Sequence, residues 1–448
     1  MPPRPVTHLP ESAPPAVVLG IASRSMTVGA PEIGIAADGS RHQTIALNDW
    51  ACRFAQANGS PCAHCRPRTP KAAVPYSGGL LAGVPTTFLL RLYDMGGAWR
   101  IVPPGLLAGS YRTTVANFQA TLEDACVMPL SAASRRNRLD RRKVRRWLRR
   151  LFDEFDAAYQ PRATRWMAMD GVQPVGTTYT NILDVESGAV LDVLPAYDGP
   201  TIIAWLKTLP NRDVIRVFAI DPSAMERRAI RDGLAGRNGP VVVILLDHRH
   251  VIALLLKGMH EVRIACGLTG QRERLTENGR KVDRLKALME RSGRELDDDQ
   301  RVWLLKMLDR EPMLRRAWEC KEEFLATVMT AISPKMAAER FARWQARIPN
   351  DVRGYFATFV NTIGSEWRHE FTASFGPARF GTNQVESLNR RLKEITRDLN
   401  GGHHHQAIRA RMLFRYGTPQ ARRLIHDLIA QITAEVAAID FTPSRKKD

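Results

Sequence analysis

The chain has 448 residues, 44% of them hydrophobic, with 65 Lys and Arg against 46 Asp and Glu, a net charge of +19. That length holds two to four domains with real cores, and no apolar run approaches the roughly 20 residues of a membrane span. So large a basic excess points to a polyanionic partner, nucleic acid before membrane, because no basic amphipathic anchor is present. The N-terminus is proline-rich and lacks the apolar core of a secretory signal, and six cysteines make no disulfide scaffold, so a reducing cytoplasm is expected.

Residues 1–16 read as a disordered tail. Residues 17–111 read as a small β region, with alternating apolar runs such as Thr87 to Tyr93 broken by Gly96-Gly97 and Pro103-Pro104. Within it, Cys62-Ala-His-Cys65 has the spacing that lets a loop wrap one tetrahedral zinc. Cys52, with His42 or His64, would complete the set. No second close cysteine pair follows, so incidental thiols are the competing reading.

From Thr113 the period changes to that of a helix, through Cys126. Between Arg135 and Arg150, ten of sixteen residues are Arg or Lys, while Leu139, Val144, Trp147, Leu148 and Leu151 keep a narrow apolar stripe. The pattern predicts a helix over Asp140 to Leu151, capped by Asp140, and residues 112–160 as a helix-turn-helix region. Arg141, Arg142, Lys143, Arg145, Arg146 and Arg149 are its candidate DNA contacts, since so dense a cationic face is costly without phosphates nearby. A merely solvated basic helix is the alternative.

Residues 161–253 read β-β-β-α-β-α-β. A run ending at Asp170, two more joined by Asp184-Val-Glu-Ser-Gly188, a helix, a run ending at Asp221, a helix capped by Ser223, and a run ending at Asp247 follow in order. If the first and fourth strands are parallel neighbours, Asp170 and Asp221 converge at one sheet edge. Two carboxylates held close repel unless a cation sits between them, and oxygen ligands favour Mg²⁺ or Mn²⁺. Residues 254–366 then read as an all-helical insertion, with Trp303, Trp318 and Trp344 on apolar stripes as core residues. A last distinctive run, Thr382-Asn383-Gln-Val-Glu386-Ser-Leu-Asn389-Arg390-Arg-Leu-Lys393, predicts a helix with Glu386 and Asn389 on one polar face. Residues 417–448 read as a C-terminal helix and basic tail.

At these residues the sequence resembles the DDE transposases of bacterial insertion sequences, most of all the insertion-sequence L3 group. The likeness rests on Met169-Asp170-Gly171, Ala219-Ile-Asp221-Pro-Ser, Leu246-Asp247-His-Arg-His250, the Thr382-to-Lys393 run, and Thr396-Arg397-Asp398 with Arg409-Ala-Arg411. The resemblance implies an α/β, ribonuclease-H-like mixed-sheet catalytic domain over 161–253 and 367–416, interrupted by the helical insertion and preceded by a zinc-ribbon-like region and a helix-turn-helix. It implies Asp170, Asp221 and Glu386 as the catalytic triad and the Mg²⁺ (or Mn²⁺) ligands, with Asp247, His250, Asn383 and Asn389 in support. Arg390, Lys393 and Arg397 would hold phosphates near the Glu386 helix. The implied activity is metal-dependent cleavage and strand transfer on double-stranded DNA, by a homodimer or higher oligomer at element ends, in the cytoplasm and on the nucleoid. Zn²⁺ in the N-terminal region is a further implied ligand. The sequence departs from the family at Gly171, where an acid is usual, and in lacking the second cysteine pair. A nuclease without strand transfer and a degenerate, DNA-binding repressor are the alternatives.

Overall fold

A computed structural model describes residues 26–49, 66–67, 74–91, 93–94, 105–107, 111–268, 275–277, 280–376, 383–398 and 404–440. The chain divides into two compact units: Met1–Gln160 with Leu392–Asp448, and Pro161–Arg391. Among the described residues no helix is long and apolar enough to cross a membrane.

The first unit carries strands β1 (Met26–Ile35), β2 (Arg41–Asp49), β3 (Arg66–Pro67), β4 (Val74–Leu81), β5 (Val84–Arg91), β6 (Tyr93–Asp94), β7 (Leu106–Leu107) and β8 (Thr113–Thr114). Six of them form one sheet in the order β1-β2-β5-β4-β8-β7, and β3 pairs with β6. Ile45, Leu47, Tyr76, Phe88, Leu90 and Leu106 make a small core. Helices Val115–Val127, Leu130–Asn137 and Arg141–Ala158 follow. Thr114 caps the first, its hydroxyl accepting from the Asn117 amide at 3.0 Å, and Asp140 caps the third, accepting from the Arg142 amide at 2.7 Å. The stretch expected as a helix-turn-helix therefore holds three helices. The additional one, Leu130–Asn137, follows Pro129 and ends where Arg138 adopts a left-handed conformation, φ 52°.

Helices His405–Tyr416 and Pro419–Asp440 pack onto this three-helix group. Buried Arg409 donates to Asp156 at 2.6 Å, and Arg411 Nε donates to the Ala125 carbonyl at 3.0 Å. The resemblance groups residues 367–416 with the catalytic sheet. The division between units instead falls inside the helix Asn383–Asp398, because Arg409, Arg411 and their apolar neighbours Ile408, Met412 and Leu413 are buried in the first unit.

The second unit is built on β9 (Trp166–Val175), β10 (Thr177–Asp184), β11 (Val190–Leu194), β12 (Val217–Ile220) and β13 (Val243–Leu246), in the order β11-β10-β9-β12-β13. The first three pair antiparallel, and β9, β12 and β13 run parallel. This mixed sheet is compatible with a ribonuclease-H-like domain. β9 does not stop at Asp170. Its parallel pairing with β12 ends at Ala168–Ala219, while its antiparallel pairing with β10 continues to Val175–Thr177, closed by Gly176 at φ +69°. Asp170 thus stands where the central strand has just lost one neighbour.

Beyond β13, the helices from His248–Ala265 to Arg368–Ala373 share one apolar core with the sheet. Phe324 sits among Trp344 and Phe359, with ring centroids 5.0 and 5.3 Å away, and Trp344 is buried, while Trp303 and Trp318 are partly so. The insertion is not all helical. β14 (Leu275–Glu277) and β15 (Arg280–Val282) form an antiparallel pair. The intervening Asn278-Gly279 is the residue pair that favours two-residue hairpin turns, a signal that the helical expectation passes over.

Candidate active site

Strand ends and helix caps place the acids of the second unit. Asp221 leaves β12, and Pro222 breaks the chain before Ser223 caps the helix Ala224–Gly233, its hydroxyl accepting from the Glu226 amide at 3.3 Å. Asp247 leaves β13 and is itself a cap: Oδ1 accepts from the Arg249 amide at 2.8 Å, opening the helix His248–Ala265. Its other oxygen lies 2.9 Å from His250 Nδ1, and the same nitrogen lies 2.8 Å from Asp221 Oδ1. One turn of helix therefore turns the Asp-x-x-His spacing into a clamp on the neighbouring strand's acid.

Asp170 is held from the other side. Its carboxylate accepts a hydrogen bond from Asn389 Nδ2, and Asn389 Oδ1 accepts from Asn181 Nδ2 at 2.7 Å. Asn181 is the register partner of Asp170 across β9 and β10 and is 1% exposed. The sequence pattern does not single it out. The signal for it is an amide at a buried position beside apolar Ile182 and Leu183, where a polar group needs a partner.

The site's charges are strongly coupled. Burial first, then repulsion by Asp221, pushes the Asp170 carboxyl up to about 6, against the pull of the Asn389 amide and His250. Hydrogen bonds to Asp221 and then Asp247 raise His250 to about 10 in spite of its partial burial, so its imidazole is protonated at neutral pH. A fourth acid, Glu226, is fully buried on the helix after Asp221. Burial and then repulsion by Asp221 and Asp170 hold its carboxyl well above the usual range. Tyr197 covers this region: a Cβ on Gly171 would lie 2.8 Å from its ring, so no side chain fits at 171 without moving it.

The donor set suits a hard divalent cation. Asp221, Asp247 and His250 bring one polar atom each within 4.8 Å of one another, and Asp170 is close enough to repel Asp221; with His250 protonated, the carboxylates are the oxygens available to a cation. Asn181 Oδ1 is buried with no hydrogen-bond donor among the described residues, an oxygen with a lone pair to give. Asp170 and Asp221 would hold Mg²⁺ or Mn²⁺, and the protonated His250 offsets part of the same negative charge.

The remaining candidates are placed as follows. Glu386 lies on the helix Asn383–Asp398 three positions before Asn389, hence on the same helical face, but its side chain lies outside the described residues, as do those of Asn383 and Arg397. Arg390 and Lys393 are exposed. On the basic helix Arg141–Ala158, Arg141, Arg142, Arg145, Arg146 and Arg149 are exposed and Lys143 is half-buried, over a buried stripe of Val144, Trp147, Leu148, Leu151, Phe152 and Phe155. Arg150 is paired with Glu154 and Glu435 at 2.5 and 2.6 Å. Cys52, Cys62 and Cys65 lie outside the described residues, while Cys126, Cys266 and Cys320 are free.

A family model described as Transposase, for the ISL3 group of DDE transposases, matches residues 170–412, more than half of the chain. No curated protein and no solved structure matches it.

Proposed function

Because the chain belongs to the DDE transposase family of the ISL3 insertion sequences, we propose that it binds the ends of its element, cleaves the DNA there and joins the freed 3′ ends to target DNA. The observation that carries this reading is the Asn389–Asp170 hydrogen bond. It brings the helix of Glu386 to the edge of the sheet where Asp170 and Asp221 meet, although 219 positions separate the two bonded residues.

Asp170, Asp221 and Glu386 are the proposed carboxylate ligands, with Asn181 and Asn389 fixing the rotamer of Asp170. Held by these residues, Mg²⁺ or Mn²⁺ would supply charge stabilisation to the attacking and leaving oxygens of the phosphodiester. The chain's own residues orient and neutralise. His250, clamped by Asp221 and Asp247, fixes the direction of the Asp221 carboxylate and puts a positive charge beside the DNA phosphates. Water serves as nucleophile in cleavage and the 3′-hydroxyl in joining, so no covalent enzyme intermediate is needed. The exposed arginines of Arg141–Ala158, with Arg390, Lys393 and Arg397, are proposed to bind phosphate backbone. Since two ends must be held together for joining, the active form is proposed to be a dimer or higher oligomer on DNA.

The test uses oligonucleotides carrying the inverted repeats that flank the gene. Mg²⁺-dependent nicking at the repeat boundary, followed by joining to a second duplex, is the expected result. Nicking without joining would reduce the protein to a nuclease, and binding without nicking would make it a repressor.

A further inference from the structure

Among the described residues, Glu226 is the one acid near the centre that neither the strand-end pattern nor the triad accounts for. It sits five positions after Asp221, in the first turns of the helix Ala224–Gly233, and is 0% exposed. Neither carboxylate oxygen has a donor at hydrogen-bonding geometry among the described residues. The Tyr197 hydroxyl, which also interacts with Ser223, faces it and counteracts part of its upward shift. The charges Glu226 senses are those of the centre: Asp221 and Asp170 repel it and His250 attracts it. A buried carboxyl without a proper partner is costly, and in a native protein it calls for an ion or another unseen partner.

We propose that Glu226 is a further carboxylate ligand of the divalent-cation centre formed by Asp170 and Asp221. The proposal rests on the reading of those two residues as cation ligands. It gives a reason for a buried acid beside three others. Tyr197 lies over Gly171 on one side and reaches Glu226 with its hydroxyl. A cation between these carboxylates then replaces the hydrogen-bond donors that Glu226 lacks, because a hard ion takes oxygen ligands in whatever direction their lone pairs are offered. The rival account makes Glu226 a neutral acid of the core, with no part in cation binding.

Gln is nearly isosteric with the neutral acid, so Glu226→Gln separates the two accounts. The experiment titrates the full-length, DNA-free protein with Mn²⁺, following free Mn²⁺ by electron paramagnetic resonance, and records melting temperatures with and without the ion. We expect Glu226→Gln to melt at or above the wild-type temperature without metal. Its Mn²⁺ dissociation constant should rise roughly tenfold or more, and most of the metal-induced melting shift should vanish. Wild-type Mn²⁺ affinity in Glu226→Gln, alongside lost affinity in Asp221→Asn, would overturn the proposal and leave the centre standing. No Mn²⁺ uptake by the wild type would overturn both. If Glu226→Gln does not fold, Glu226→Asp and Glu226→Ala decide: the proposal requires the charged variant to keep more of the Mn²⁺-induced shift than the Ala variant, and equal shifts in the two would overturn it.

Discussion

His250 and Asp221 are joined by a 2.8 Å contact in which the same imidazole nitrogen also meets Asp247 at 2.9 Å. The histidine's pKa is lifted to about 10 by those two acids, against an ordinary value near 6.5. A raised folded-state pKa stabilises the fold fully below the unfolded value and loses that contribution as the pH climbs through the folded one. In metal-free protein, the stability difference between wild type and His250→Asn should therefore be largest below pH 6.5 and fade by about pH 10. Because His250 is nearly half exposed, screening reduces the expected difference to about 1–2 kcal/mol. Denaturant titrations of both proteins across that range measure it.

Asp221→Asn should abolish strand cleavage, by roughly a thousandfold or more, while binding of end DNA stays within a few-fold of wild type. One charge is removed from the cation site, and no arginine is touched. A cleavage assay beside a gel-shift titration separates the two effects. Unchanged cleavage would move the ligand role to Asp247, the other acid within reach of His250.

Asn389→Ala removes the amide that holds Asp170 down. Without it, the Asp170 carboxyl should titrate above about 6, so the acidic limb of the cleavage rate should shift to higher pH. The loss of a partly buried hydrogen bond should also cost about 1–2 kcal/mol of stability. A pH–rate profile at saturating Mg²⁺ tests the first effect, and a profile identical to wild type would remove Asn389 from the site.

The basic helix gives a different readout. Replacing Arg142 and Arg146 with Ala should weaken DNA binding and flatten the dependence of log K on log salt by up to roughly two units, about one for each phosphate that is no longer neutralised. Trp147→Ala should instead lower stability by about 3 kcal/mol or more, since the ring is 6% exposed and its Nε1 donates to the Tyr111 hydroxyl at 2.5 Å. Titrations at several salt concentrations decide, and an unchanged slope in the double variant would leave this helix a solvated face.

The sheet is legible in the sequence because its strands are β-branched or apolar runs punctuated by Gly, Pro and Asp. The basic helix is legible because charge and stripe coincide at one period. Asp170 and Asp221 can be paired on that ground, but the overrun of β9 past Asp170 cannot be foreseen. It depends on how far β10 keeps pairing, which Gln173 and Pro174 in the same stretch give no local reason to expect. Asn181 and Glu226 escape a reading of the sequence for a common reason: each is an ordinary polar residue in its own element, and only burial beside a distant acid makes it unusual. The placement of Arg409 and Arg411 fails similarly, because arginines in a helix read as surface until Asp156 and the Ala125 carbonyl are found beside them.

The long interval between Asp170 and Asn389 also orders events in time. A growing chain that has emerged only through β13 already holds Asp170 and Asp221, with Asp247 next to follow. The amide that fixes Asp170 is then still 142 residues from being made, counting from Asp247 to Asn389. Closing so long a loop costs more chain entropy than forming a local hairpin, and such non-local contacts form slowly. At that stage of synthesis the sheet acids are present and the residue that completes the site is not. A product truncated inside the insertion would stay at that stage, able to display the sheet but not to complete the centre that acts on DNA.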